Sequence, residues 1–159
     1  MIMFKIPKSL SISISLAISV LFFIVCIAGL FILPDLTEML IKIPDNIGNR
    51  DSISDIGRML VLFGAYCIVL TFIAADLLLF SILIRVKSGK VFTAITVAHI
   101  RGVSWCCFLL CLFFGALGLY FQLSFLVAFL AFFLGICLRV VKNVIEEATE
   151  IKQENELTV

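Results

Sequence analysis

The sequence predicts an all-α, polytopic membrane protein of four transmembrane helices, both termini in the cytoplasm and the fourth helix extending past the bilayer. Three observations carry that prediction. First, charge is missing over long stretches: Leu10 to Leu33 is 24 uncharged residues, Met59 to Ile84 is 26 residues with Asp76 as the one ion, and Gly102 to Leu138 is 37 residues with none. A spanning helix needs about 20 apolar residues. Second, the last stretch is too long for one crossing. At 1.5 Å per residue it would reach about 55 Å against a hydrocarbon core of about 30 Å, so it folds back. Third, nine of the twelve basic residues fall in three segments: Lys5 and Lys8; Arg85, Lys87, Lys90 and Arg101; Arg139, Lys142 and Lys152. The segment from Pro34 to Arg58 holds the other three, Lys42, Arg50 and Arg58. Cytoplasmic loops carry the Lys/Arg excess, which places the first three segments inside and the fourth outside. With 159 residues, 63% of them hydrophobic, and a mean hydropathy of +1.25, the chain is one membrane domain (1–159) with no room for a separate soluble one.

Helix one is expected over about 10–33. Lys5 and Lys8 before an apolar stretch look like the start of a signal peptide, but 24 residues exceed an h-region and no A-x-A-like site follows, so the helix is read as retained. The outer loop, 34–56, contains Leu36, Met39, Leu40, Ile41 and Ile43 and then Pro44-Asp45-Asn46-Ile47-Gly48. That pattern suggests a short amphipathic piece lying on the membrane, then a turn. Its acids, Asp35, Glu38, Asp45, Asp51 and Asp55, lack the alternation of a calcium loop; a solvated loop is the favoured reading, with Asp55 capping helix two (57–84).

The inner loop, 85–93, holds the turn Ser88-Gly89-Lys90. Thr93 is suited to N-cap helix three (94–118), whose first turns stand in the inner interface. Gly118 to Gln122 offers the fold-back turn, since glycine loosens a helix and Tyr120 and Gln122 suit an interface. Helix four (123–152) overshoots the membrane because Val144, Ile145, Ala148 and Ile151 continue an apolar stripe. The tail after Gln153 lacks the stripe and is expected to fray. Folding the run about residue 121 aligns Gly118 with Ser124, Gly115 with Ala128, Cys111 with Ala131 and Cys107 with Gly135, a small-residue seam that suits close packing in lipid.

Few positions could carry chemistry. Asp76 lies eight residues inside Ile84, about 12 Å by helical rise. An intramembrane carboxylate calls for a partner, and helix one offers Ser15 and Ser19 from the ladder Ser11, Ser15, Ser19. The group is either a packing device bonded to serine or part of a proton or cation relay. The cytoplasmic face gathers Arg85, Lys87, Lys90 and Arg101 with Glu146, Glu147, Glu150 and Ile151, the latter set beside Glu154 and Glu156. Its basic cluster would attract anionic lipid but is too short, and too poor in interleaved aromatics, for nucleic acid. His99 has no nucleophile or oxyanion-hole pattern with it and reads as a surface or headgroup contact. The six cysteines sit in apolar runs without C-x-x-C spacing, which favours packing over zinc or redox work. A quinone-coupled thiol oxidoreductase would need an outer C-x-x-C.

Two segments carry a resemblance. Val86-Lys87-Ser88-Gly89-Lys90-Val91-Phe92-Thr93, and the ending from Val144-Ile145-Glu146-Glu147-Ala148 through Ile151, Glu154, Asn155, Glu156, Leu157, Thr158 and Val159, resemble an uncharacterised bacterial family of four-helix membrane proteins. That family is a domain of unknown function, and its members are often encoded beside a small Cro/CI-type DNA-binding regulator. Many members have Asn- or Ala-rich segments after the Phe-Thr pair, where this chain has Ala94-Ile95-Thr96-Val97. The resemblance implies a multi-pass protein of the bacterial plasma membrane and supplies no catalytic residue.

Taken together, the residues point to a non-catalytic interaction or regulatory protein acting through its cytoplasmic face, with no cofactor. The alternative is a small oligomeric transporter or ion-coupled carrier using Asp76. Expected partners are the lipid bilayer and either a cytoplasmic protein or further copies in a membrane homo-oligomer, without direct nucleic-acid binding.

Overall fold

The computed structural model describes residues 8–42, 55–89 and 91–157. They form four helices: α1 (Lys8–Lys42), α2 (Asp55–Lys87), α3 (Ala94–Gly118) and α4 (Leu123–Leu157). Each is long and apolar enough to cross a membrane, so the protein is a multi-pass membrane protein. The expected outer turn at Pro44–Gly48, Lys5, Asp45, Asp51, Lys90, Thr158 and Val159 lie outside the described residues.

The helices pack in chain order. α1 meets α2, α2 meets α3 and α3 meets α4, while among the described residues no Cα of α4 comes within 8 Å of α1 or α2. The arrangement is an open row rather than a closed bundle, with α1 and α4 as its edges. Most apolar side chains therefore point outward, as Phe31, Phe63, Leu112 and Phe129 do, which lipid tolerates and water would not.

α1 and α2 share a regular seam. On α1 the buried or half-buried positions Ile12, Leu16, Ser19, Phe23, Cys26, Leu30, Leu33 and Thr37 recur at alternating spacings of four and three, the heptad rhythm of two nearly parallel or antiparallel helices. This seam explains the largest departure from expectation. α1 does not stop at Leu33 but runs on to Lys42 with Pro34 inside it. Proline removes one backbone hydrogen bond, yet Leu33 and Thr37 on either side of it remain buried and the Thr37 hydroxyl bonds the Pro34 carbonyl at 2.8 Å. Packing holds the helix together where propensity alone would break it, so Leu36 to Ile41 continues α1 instead of forming a separate surface piece.

α2 begins at Asp55, which sits in its first turn, where a carboxylate favours the positive end of the helix dipole. It ends at a turn in which the Ser88 N–H bonds Ile84 O at 3.0 Å and Gly89 takes φ +74°, a conformation that glycine adopts at little cost. Thr93 caps α3 with extended backbone (φ −141°, ψ 147°), its hydroxyl accepting from the Thr96 N–H at 3.4 Å. α3 and α4 then form a tight hairpin, closed by the Phe121 N–H on Leu117 O at 2.8 Å.

The hairpin is close, but its register differs from the small-residue alignment. Gly135 faces Ser104 and Phe108 rather than Cys107: Ser104 Oγ donates to Gly135 O at 2.9 Å, and a Cβ on Gly135 would lie 3.1 Å from the Phe108 ring. Gly115 meets nothing within 4 Å. In lipid a small residue is compatible with either a seam or an open face, so spacing alone did not separate Gly135 from Gly115. α4 also continues five residues beyond the expected 152, through the segment that was expected to fray.

Candidate functional site

Two polar places stand out. The first is in the α1–α2 seam, where Ser19 Oγ donates to Asp76 Oδ1 at 2.7 Å. Both residues are buried, at 3% and 6% exposure, and no buried side-chain polar atom among the described residues lacks a partner. Of the two serines proposed for Asp76, the fold brings up Ser19 alone. Ser15 instead bonds Ser11 O on its own helix at 3.1 Å. Aromatic edges close the seam further along, Phe22 against Phe72 and Phe72 against Phe114.

The second place is a groove of about 300 Å³ between the first turns of α3 and the last turns of α4. α3 contributes Ala94, Val97, Ala98 and Arg101; α4 contributes Glu146, Thr149, Glu150 and Gln153. Both sets follow helical spacing, so each helix turns one face to the groove. Beneath it the seam is dry and polar-satisfied. Thr96 is 1% exposed and its hydroxyl meets that of Thr93 at 2.9 Å, while Thr149 Oγ1 bonds Ile145 O at 2.7 Å.

One charged cluster crosses the groove. Lys142 Nζ donates a close bond to Glu146 Oε2, and Arg101 Nη2 reaches Glu146 Oε1 at 3.4 Å. The Lys142 bond above all, with the charges of Lys142 and Arg101 behind it, holds the Glu146 carboxyl below the usual carboxylate range against the opposing effect of desolvation. Arg101 keeps most of its donors in the open, its side chain being 56% exposed.

Toward the hairpin turn the groove meets a feature absent from the sequence reading. The Arg139 guanidinium lies 5.1 Å from the Trp105 ring centre and 5.5 Å from that of Phe108, within the roughly 6 Å range of cation–π attraction. Arg139 stands on the same face of α4 as Glu146, Glu150 and Gln153 by helical spacing. Trp105 and Phe108 continue the α3 face that carries Ala98 and Arg101. The signal was present: Trp105 is the one tryptophan of the chain, one helical turn from Arg101, and Arg139 is the first charge after the long apolar run.

The remaining expected face residues divide. Glu150 lines the groove. Glu147 and Ile151 are exposed on another side of α4, as is Val144. The apolar stripe of α4 is divided: Ile145 and Ala148 are half-buried beside the buried Thr149, whereas Val144 and Ile151 are exposed, Ile151 to 54%. Lys87 is exposed and Arg85 half-buried at the end of α2, and neither lines the groove. His99 Nδ1 contacts Ile95 O at 2.7 Å on its own helix. All six cysteines are free thiols.

The family model described as "Protein of unknown function (DUF2975)" matches residues 1–159. No curated protein and no solved structure matches the chain.

Proposed function

The chain belongs to the family described as Protein of unknown function (DUF2975), and from its geometry we propose that it is a non-catalytic interaction or regulatory protein of the bacterial plasma membrane. In this reading both termini are cytoplasmic, as the distribution of Lys and Arg favours, and the working surface is the α3–α4 groove. The observation that carries it is the course of α4, which stays helical to Leu157, about 27 Å past Arg139 at 1.5 Å per residue. Along this extension it sets Glu146, Thr149, Glu150 and Gln153 in a groove beside α3. A helix that only ended a membrane span would need neither the extra turns nor a groove. Opposite charges spaced along one face suit a partner protein of mixed charge and favour specificity over raw affinity. The resemblance to proteins encoded beside a small DNA-binding regulator makes such a regulator the first partner to try.

A small oligomeric carrier using Asp76 is the weaker reading, because that carboxylate is buried and bonded to Ser19 and does not line the groove.

Truncation after Lys142 tests the proposal. The shortened protein is expected to insert in the membrane at wild-type level while losing the proteins that co-purify with the full chain and the phenotype that the full chain supports. Retention of the same partners and phenotype would move the function back into the membrane.

A further inference from the structure

We propose that Arg139, Trp105 and Arg101 form a binding site for the headgroup of an anionic phospholipid on the outer side of the α3–α4 seam. The inference rests on the reading that these helices span a membrane.

The site begins with an unusual cation. Arg139 closes the long charge-free run, and a side chain on a helix leans toward the helix N-terminus. On α4 that direction leads toward the apolar run, and the guanidinium is found over Trp105 and Phe108. Among the described residues no carboxylate pairs with it. The aromatic faces supply attraction to the charge but accept none of its five N–H donors in the plane of the guanidinium, where a phosphate binds in bidentate fashion.

Trp105 marks the level. It is 55% exposed, and an indole with one wet and one apolar side belongs at the headgroup boundary. Arg101 stands one helical turn away on the same face of α3. It shares the Glu146 carboxylate with Lys142, which holds the closer bond, so on this face the two acids Glu146 and Glu150 stand with three cations, Arg101, Lys142 and Arg139, an excess of one positive charge. A phosphodiester brings a negative charge on two non-bridging acceptor oxygens, the pair that a guanidinium engages side by side. From Trp105 toward the hairpin turn the same face of α3 continues as exposed Leu109 and Leu112, a track for an acyl chain attached to that headgroup. A free phosphate would use the guanidinium groups and leave this track idle, which is why the occupant is assigned as a lipid.

Because Trp105 is the single tryptophan, its fluorescence reads the site directly. The full chain is reconstituted in phosphatidylcholine vesicles containing a small fraction of lipid brominated near the top of its acyl chains, either phosphatidylglycerol or phosphatidylcholine. Quenching by brominated phosphatidylglycerol should correspond to about fivefold enrichment beside Trp105 over brominated phosphatidylcholine, the factor expected for one basic residue at an anionic surface. Arg139→Gln should bring the two lipids to equal quenching, Arg139→Lys should keep part of the preference, and Arg101→Gln should reduce it less than Arg139→Gln does. Addition of millimolar glycerol phosphate should leave the preference intact. Equal quenching by both lipids in the wild type, an unchanged preference in Arg139→Gln, or displacement by glycerol phosphate would each overturn the assignment. Quenching by neither lipid would overturn the membrane reading together with the site.

Discussion

The α1–α2 seam and the α3–α4 seam hold polar groups in opposite ways. Between α1 and α2 a lone carboxylate is sealed and bonded to one serine. Between α3 and α4 the seam is buried where Ser104 bonds Gly135 O and where Thr96 and Thr149 lie beneath the groove. Further along it opens into a groove where Arg101 and Lys142 share Glu146 and the Arg101 side chain stays exposed. A buried pair is out of reach of any partner that does not enter the seam. An open cluster with spare donors gains little stability from its own contacts and is available to others. The intramembrane acid is the more conspicuous residue in the sequence; the groove is the more usable site.

The hairpin supplies the largest expected effect. Gly135→Leu must displace the Phe108 ring and crowd the Ser104 bond, and overpacking of this kind should cost about 3 kcal/mol. Gly115→Leu enters open space and should change little. Unfolding in mild detergent by titration with sodium dodecyl sulfate measures both; equal losses would mean that Gly115 and Gly135 do not differ in packing as described.

The sealed pair should show an asymmetry. Ser19→Ala strands the Asp76 carboxyl in an apolar seam and should cost about 1–3 kcal/mol. Asp76→Leu, by contrast, leaves a serine hydroxyl that can turn back to the carbonyl four residues earlier, and should be nearly neutral. The same unfolding assay, run on the two single variants and the double variant, measures their coupling. A costly Asp76→Leu beside a harmless Ser19→Ala would give Asp76 a partner other than Ser19.

The smallest effect belongs to the groove ion pairs. The Glu146 carboxyl is held below its ordinary value by Lys142 first and Arg101 after. A carboxylate with a lowered folded pKa contributes stability that is complete above the unfolded value, about 4.3, and is lost as pH falls through the folded value. Between pH 6 and 8 the melting temperature should therefore be flat with respect to this pair, and Glu146→Gln should remove the acid-side slope while lowering the melting temperature at pH 7 only slightly, because the pair is solvent-screened. A Glu146→Gln protein that melts lower at pH 7 by several degrees would mark the pair as structural.

How much was legible follows the same division. The four helices, the fold-back near residue 121 and the Thr93 cap could be read because each depends on local signals: missing charge, span length against bilayer thickness, a hydroxyl before a helix. The Ser19–Asp76 bond could be read because a buried acid needs a donor at its own depth. What resisted reading depends on which face of a helix touches protein. In water, apolar periodicity marks the buried face. In lipid, both faces are apolar, so the α1 seam emerges from the spacing of burial and not from hydropathy, and its persistence past Pro34 was hidden. On the last turns of α4 the stripe Val144, Ile145, Ala148 and Ile151 splits: Ile145 and Ala148 are half-buried beside Thr149, while Val144 and Ile151 face outward. The pairing of Arg139 with Trp105 required the hairpin register, which spacing of small residues did not supply.

The central claim is that the polar groove side of the α4 extension, and not its apolar outer side, is the working surface. Gln153 lines the groove and Ile151 is exposed about 160° around the helix from it at 3.6 residues per turn. A photo-crosslinking residue placed at each position in turn, in the full chain in intact cells, compares the two faces directly. The account predicts a defined protein adduct from position 153 and none from position 151. An adduct from position 151 alone, or from neither, would contradict it.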